Sequence, residues 1–225
     1  MLEEISARVR ENFEAKDRVR EEGLKLSRQV VRDCRTATFA LHGQNFKKAE
    51  KNIEEAKKAL FKLDVLFEEH SDIYHAGFVE HAQQEFAEAS ILLDLLREEE
   101  KPETLPSPET LSIGYAAYLN GLGDVVGELR RHVLDLIRTE ALEKAEVFLG
   151  IMENIHAVLM DFDYPDAITR GLRRKTDVAR GLIEKTRGDL INAIQQKKLE
   201  TAMRELESKL GPAPFPEEQI GPGSR

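Results

Sequence analysis

At 225 residues, with 33% charged and only 6% aromatic side chains and no tryptophan, the chain has the size and texture of one helix-rich domain with a single substantial core. Its formal net charge of -9 argues against a protein that coats nucleic acid indiscriminately, because generic binding needs many basic groups to release phosphate counterions, but it leaves room for a local basic surface. The single Cys34 excludes an internal disulfide, MLEEISARVRENFEAK lacks the apolar segment of a secretory signal, and no apolar run nears the ~20 residues needed to cross a bilayer, so the expected place is the cytoplasm and not a membrane.

From Leu2 to about Leu41, Ile5, Val9, Phe13, Val19, Leu24, Val31, Cys34, Thr38 and Leu41 recur at helical spacing with no proline between them, which predicts one very long helix of about 60 Å at ~1.5 Å per residue. Gly43 stands in the stop that follows, His42 to Asn45. A second helix is predicted from Phe46 to about Phe67, with Ala49, Ile53, Ala56, Leu60 and Leu63 on its inner stripe, and a third from about Ile73 to Glu99. KPETLPSPET breaks the chain, since its prolines cannot continue a helix, and Ser107 before Pro108 starts the next one, which should run to about Arg138. A fifth helix spans Glu140 to Met160, DFDYPD ends it, and a sixth begins near Asp166, with Lys197 to Leu210 either its end or a seventh. The sequence shows no strand pattern and no internal repeat. The expected architecture is therefore all-α, a single-domain bundle of about six to seven helices over residues 1–210, with 211–225 too poor in apolar side chains to pack and expected to be disordered.

Two carboxylate pairs stand out. Glu85 and Glu88 lie in QEFAEA, and Glu85 shares a stripe with Phe78, Ala82, Ala89 and Leu92, so it should face the core. Asp124 and Glu128 lie in YLNGLGDVVGEL on a face with Ala117, Asn120, Gly121 and Arg131. Glycines 121, 123 and 127 each cost roughly 1 kcal/mol in a helix interior, so a close helix or ligand should compensate them. Packing these two helices together would focus four carboxylates on one point, and an all-oxygen set suits a hard cation such as Mg2+ or Mn2+. Two other readings stand beside it: buried arginines neutralise the acids, or Glu153 and His156 form one half of an E-x-x-H di-iron motif, with Asp72 and His75 as a poor second copy. A cationic face is formed by Arg28, Arg32, Arg35 and His42 on the first helix, with Lys47, Lys48 and Lys51 opening the second; such a face can contact phosphates, meet an acidic neighbour or simply be solvated.

These segments together resemble the translin family, most closely its translin-associated factor X branch in an archaeal-type single-gene form. LSRQVVRDCRTATFALH resembles the first-helix signature of that branch, QEFAEA resembles L-Q-E-Y-V-E-A, YLNGLGDVVGEL resembles D-Y-L-x-G-x-x-D-L-x-G-E-L, and LRRKTDVARGLIEKTRGDL is similar to the L-R-[KR] helix near the family's C-terminus. The match runs in order from about Leu24 to Leu190. The resemblance implies an all-α fold assembled into a hollow homo-octamer, single-stranded RNA or DNA as ligand, and a Mg2+- or Mn2+-dependent endoribonuclease. It places catalytic acids at Glu85, Glu88 and Asp124, with Glu128 completing the metal set. Arg28 and Arg35 match the first-helix signature as nucleic-acid contacts, and Arg32 and Arg131 join them from their helical faces. Where translin has a basic, aromatic-bearing segment, this chain has DIYHAGFVEHAQ, with no arginine. Two further functions stay open at this point: a non-catalytic single-stranded RNA- or DNA-binding shell, and a helical scaffold.

Overall fold

The computed structural model describes residues 1–68, 77–97 and 105–210. Among these, every regular element is a helix: α1 (Leu2–His42), α2 (Phe46–Phe67), α3 (Phe78–Arg97), α4 (Pro108–Leu111), α5 (Tyr115–Arg138), α6 (Leu142–Met160), α7 (Asp166–Thr169) and α8 (Leu172–Leu210). The ends expected for the third helix at Ile73 and Glu99, the residues Asp72 and His75, and the tail 211–225 lie outside the described residues.

Helix α1 pairs with α2 through a tight reversal. Gln44 takes up a left-handed conformation (φ 55°), and Asn45 caps α2 by accepting a hydrogen bond from the Lys48 amide at 3.1 Å. The C-terminal half of α1 buries Val30, Cys34, Ala37 and Leu41, while its N-terminal half is bare: Ile5, Val9 and Phe13 are 44, 47 and 65% exposed. Helical periodicity is therefore present along all of α1, but only its second half meets the body of the bundle.

Helices α3 and α5 are the spine. α3 packs on α1, α2 and α5; α5 packs on α3, α6 and α8. Accordingly α3 is buried along most of its length, with Phe86, Ile91, Leu92 and Leu95 buried completely or nearly so, and Leu129 and Val126 of α5 lie against the same core. Truncating one such leucine to alanine costs about 2–5 kcal/mol.

Two expected helices are each interrupted near their start. Ser107 caps α4, its Oγ accepting from the Thr110 amide at 3.2 Å, but the chain turns left-handed at Ser112 (φ 56°) and α5 begins only at Tyr115. Likewise α7 ends at Arg170 (φ 53°) and Gly171 (φ +89°), where the Asp166 carboxylate accepts the Gly171 amide at 2.6 Å, and α8 starts afresh at Leu172. Both breaks re-aim the helix that follows. The second is fixed from across the bundle, because Asn120 of α5 donates to the Thr169 carbonyl at 2.7 Å. From Leu172 the chain is one continuous helix to Leu210, so Lys197 to Leu210 is the end of α8 and not a separate element.

Candidate acid centre between the third and fifth helices

The approach of α3 to α5 is set at Gly121. A Cβ there would lie 2.7 Å from both the Ala87 Cβ and the Gln84 carbonyl oxygen, and 3.1 Å from the Glu88 amide nitrogen, so no residue with a side chain fits without separating the backbones. One helical turn further on, Asp124 faces the α3 residues that flank Ala87. The glycine gives the two acidic helices their proximity, which is the reason its helix-breaking cost is tolerated. Gly123 serves a second close approach, with the Lys175 Cβ 3.2 Å from where its own Cβ would be; Gly127 meets only ordinary contact with Leu182 at 3.9 Å.

Each carboxylate has a different environment. Asp124 is held from two sides: the Lys175 ammonium of α8 is 2.5 Å from both carboxylate oxygens, and the Gln84 amide donates to Oδ2 at 2.7 Å. Glu128 lies 2.5 Å from Nε2 of His42, whose side chain is only 5% exposed. That hydrogen bond, with the positive charge of Arg131 behind it, holds the Glu128 carboxyl below the usual carboxylate range in spite of burial. Glu85, 16% exposed, has looser ion pairs, with Arg35 Nε and His81 Nε2 each at 3.7 Å. Glu88 has no hydrogen-bonded or ion-paired partner among the described residues. Burial, and then the negative charges of Asp124, Glu85 and Glu128, push its carboxyl up to about 8, with Lys175 pulling the other way. Beneath them Cys34 is buried, and its thiol is pushed well above its ordinary range by burial and by the charges of Glu85, Asp33 and Glu88, so it remains a neutral thiol.

The four acids singled out in the sequence are thus brought to one place, within electrostatic reach of each other. They do not form a ready-made ligand cage: among the described residues no three His, Cys, Asp or Glu side chains are disposed to hold a metal ion together. The place of a cation at Asp124 is taken by the Lys175 ammonium. Of the basic residues, Arg35 reaches the centre through Glu85, and Arg131 through the field it exerts on Glu128. Arg28 and Arg32 are exposed on α1 and extend the cationic face away from the acids. His42 leaves that face, since its ring is buried against Glu128. The partners of the α5 acids are a lysine and a histidine, not buried arginines. Of the E-x-x-H reading, Glu153 is paired with Arg187 at 2.6 Å, and Asp72 and His75 lie outside the described residues.

Lys175 is not among the residues that the sequence singles out, and His42 is singled out only as part of the cationic face, not as the partner of Glu128. A signal for Lys175 existed. It sits three residues after Leu172 and four before Ala179, both 1% exposed, so a lysine occupies the inner face of α8 where only a buried partner would retain it. His42 carried no comparable mark, because its partner lies 86 residues away.

No protein-family model matches the sequence. The chain is 37% identical over 196 residues to the uncharacterized protein MJ0175 of Methanocaldococcus jannaschii, covering 85% of this chain and 84% of that one. Among solved structures it resembles AfC3PO (TM-score 0.76, 34% identity, 84% of this chain and 97% of the other) and the complex of AfC3PO with duplex RNA (TM-score 0.74, 32% identity, 84% and 96%). It shares its fold with apo-NeC3PO (TM-score 0.73, 21% identity, 83% and 96%). With these likenesses running through nearly the whole of each C3PO chain, and with the signature segments lying on the helices that build the acid centre, the protein belongs to the translin family.

Proposed function

We propose that this protein binds RNA and, with a divalent cation, cleaves single strands as an endoribonuclease, working in the cytoplasm inside a homo-octameric shell. The observation that carries the reading is Glu88. Its carboxyl is pushed up to about 8, first by burial and then by the charges of Asp124, Glu85 and Glu128, which gathers four acids around one proton-bearing group. The donors are all carboxylate oxygens, and a lysine ammonium already stands between two of them, so the residues suit a small hard cation. Glu85, Glu88, Asp124 and Glu128 would hold it. Once bound, Mg2+ or Mn2+ would supply an acidified water and neutralise charge developing on the phosphate.

The chain's own groups supply the rest. Gln84 fixes the Asp124 carboxylate, and the His42 ring does the same for Glu128. Glu88 would have to lose its proton to hold a cation, which would tie binding to pH. Arg28, Arg32, Arg35 and Arg131 hold phosphates along the exposed faces of α1 and α5. AfC3PO is known in complex with duplex RNA, which supports RNA as the ligand class here.

The test is turnover of end-labelled single-stranded and duplex RNA with Mg2+, with Mn2+ and with a chelator. Internal cuts that vanish on chelation support the nuclease. One observation favours a second reading, a non-catalytic RNA- or DNA-binding shell: Lys175 and His42 already pair with both acids of α5, so these acids also interlock the helices. Salt-sensitive binding without cleavage under every metal condition would select that shell.

A further inference from the structure

We infer that Lys175 is a positioning residue that acts as the built-in counter-ion of the acid centre, holding Asp124 in place and competing with a divalent cation for its two oxygens. The inference rests on the reading of the acids as a cation site. Its basis is geometric. The Lys175 ammonium lies within hydrogen-bonding distance of both carboxylate oxygens of Asp124, so it occupies the carboxylate that a cation held by Asp124 would need. The side chain is 17% exposed, so its charge is poorly screened, and its stem is packed where Gly123 leaves room for it. Lys175 also comes from α8, whereas the acids come from α3 and α5. A movement of its flexible four-carbon stem vacates the carboxylate without disturbing either acidic helix.

Lys175 therefore has two opposed effects. Without a divalent cation it relieves the repulsion between Asp124 and its acidic neighbours and ties α8 to the spine. In the presence of one it must leave Asp124, which weakens the site. A merely structural lysine would show only the first effect.

The experiment is a titration of Mn2+ alone, followed by electron paramagnetic resonance, on the full-length parent and on Lys175→Met, Lys175→Gln and Lys175→Arg, with melting of each in chelator. Lys175→Met and Lys175→Gln should bind Mn2+ about tenfold or more tightly than the parent, since a unit charge at contact distance has been removed. Both should melt lower in chelator and gain more from added Mn2+ than the parent does. Lys175→Arg should stay near the parent, and the glutamine variant, which keeps a hydrogen bond to Asp124, gives the answer if the methionine variant does not fold. Parent-like or weaker Mn2+ binding by the neutral variants, with the parent itself binding, overturns the counter-ion role and leaves the nuclease reading standing. Absence of Mn2+ binding in every protein overturns both.

Discussion

The two acidic helices treat their carboxylates in opposite ways. On α5, Asp124 and Glu128 each have a dedicated partner from a distant part of the chain, Lys175 and His42, both within hydrogen-bonding distance. On α3, Glu85 has only ion pairs at 3.7 Å, and Glu88 has none among the described residues. The α5 acids are consequently fixed by their partners, whereas Glu88 is held neutral by its surroundings at pH 7. A site of this kind has rigid oxygens on one wall and a proton-bearing, adjustable one on the other. Much of the proposed chemistry depends on that asymmetry.

The largest expected effect comes from removing a fixed oxygen. Asp124→Ala should lower metal-dependent cleavage of single-stranded RNA by about a hundredfold or more, because even groups that only support metal ligands are worth 10–100-fold. The variant should elute at the parent's size in gel filtration. Cleavage at the parent rate would remove Asp124 from the mechanism.

Next is the contact that brings the walls together. Gly121→Ala places a methyl group 2.7 Å from the Ala87 Cβ and from a backbone oxygen that cannot rotate away. Over-packing of this kind costs about 1–3 kcal/mol, offset in part by the roughly 1 kcal/mol that alanine gains over glycine in a helix. The melting temperature should fall by a few degrees, and the cleavage rate by more than the stability change alone explains, since the acids on α3 and α5 separate.

How much of this was legible in the sequence divides along the same line. The helices declared themselves by apolar spacing, and the acids by sitting on the faces of those helices; Gly121 pointed to a close approach, but glycines inside helices are an uneven sign of one, since Gly150, Gly181 and Gly188 meet nothing within 4 Å. The left-handed break at Ser112 was not legible, since that residue is not a glycine, whereas the one at Arg170 had a mark in Gly171 beside it. Nor were the partners of Asp124 and Glu128, which depend on how α8 and the end of α1 are brought back to α5. Local pattern predicts which face a residue occupies; it carries little about which distant side chain that face will meet.

Titration offers a subtler separation of the two walls, best measured in chelator so that no cation contributes. Glu88 has its carboxyl raised from 4.5 to about 8 in the fold. Between those values the folded chain keeps a proton that the unfolded chain has lost, so stability drains away as pH rises from 4.5 and the loss is complete above 8. Glu88→Gln should therefore melt like the parent near pH 4.5 and several degrees higher at pH 8.5. Glu128 is the opposite case, lowered in the fold by His42. Its contribution is present above the unfolded value of 4.5 and is lost as pH falls through the folded value, so Glu128→Gln should melt lower than the parent at pH 7 and approach it in acid. Parallel pH profiles for the two variants would contradict the asymmetry.

The smallest effect belongs to the exposed cationic face. Arg28 and Arg32 project from α1 with no role in the acid centre, and Arg35 has only the loose pair with Glu85. If each meets one phosphate of a single strand, its removal should lower the slope of log affinity against log salt by about 0.7 and weaken binding only a few-fold at moderate salt. Arg28→Ala and Arg32→Ala should do this with cleavage at saturating RNA unchanged. Arg35→Ala should show the same binding loss and one more consequence, because it also takes away a positive charge near Glu85 and leaves the α3 wall more negative. Cation affinity should then rise slightly in Arg35→Ala alone, a difference that fluorescence anisotropy at several salt concentrations, run beside an Mn2+ titration, is able to resolve. A uniform response from all three arginines would mean that the basic face and the adjustable acid wall are independent, and that Arg35 belongs wholly to the first.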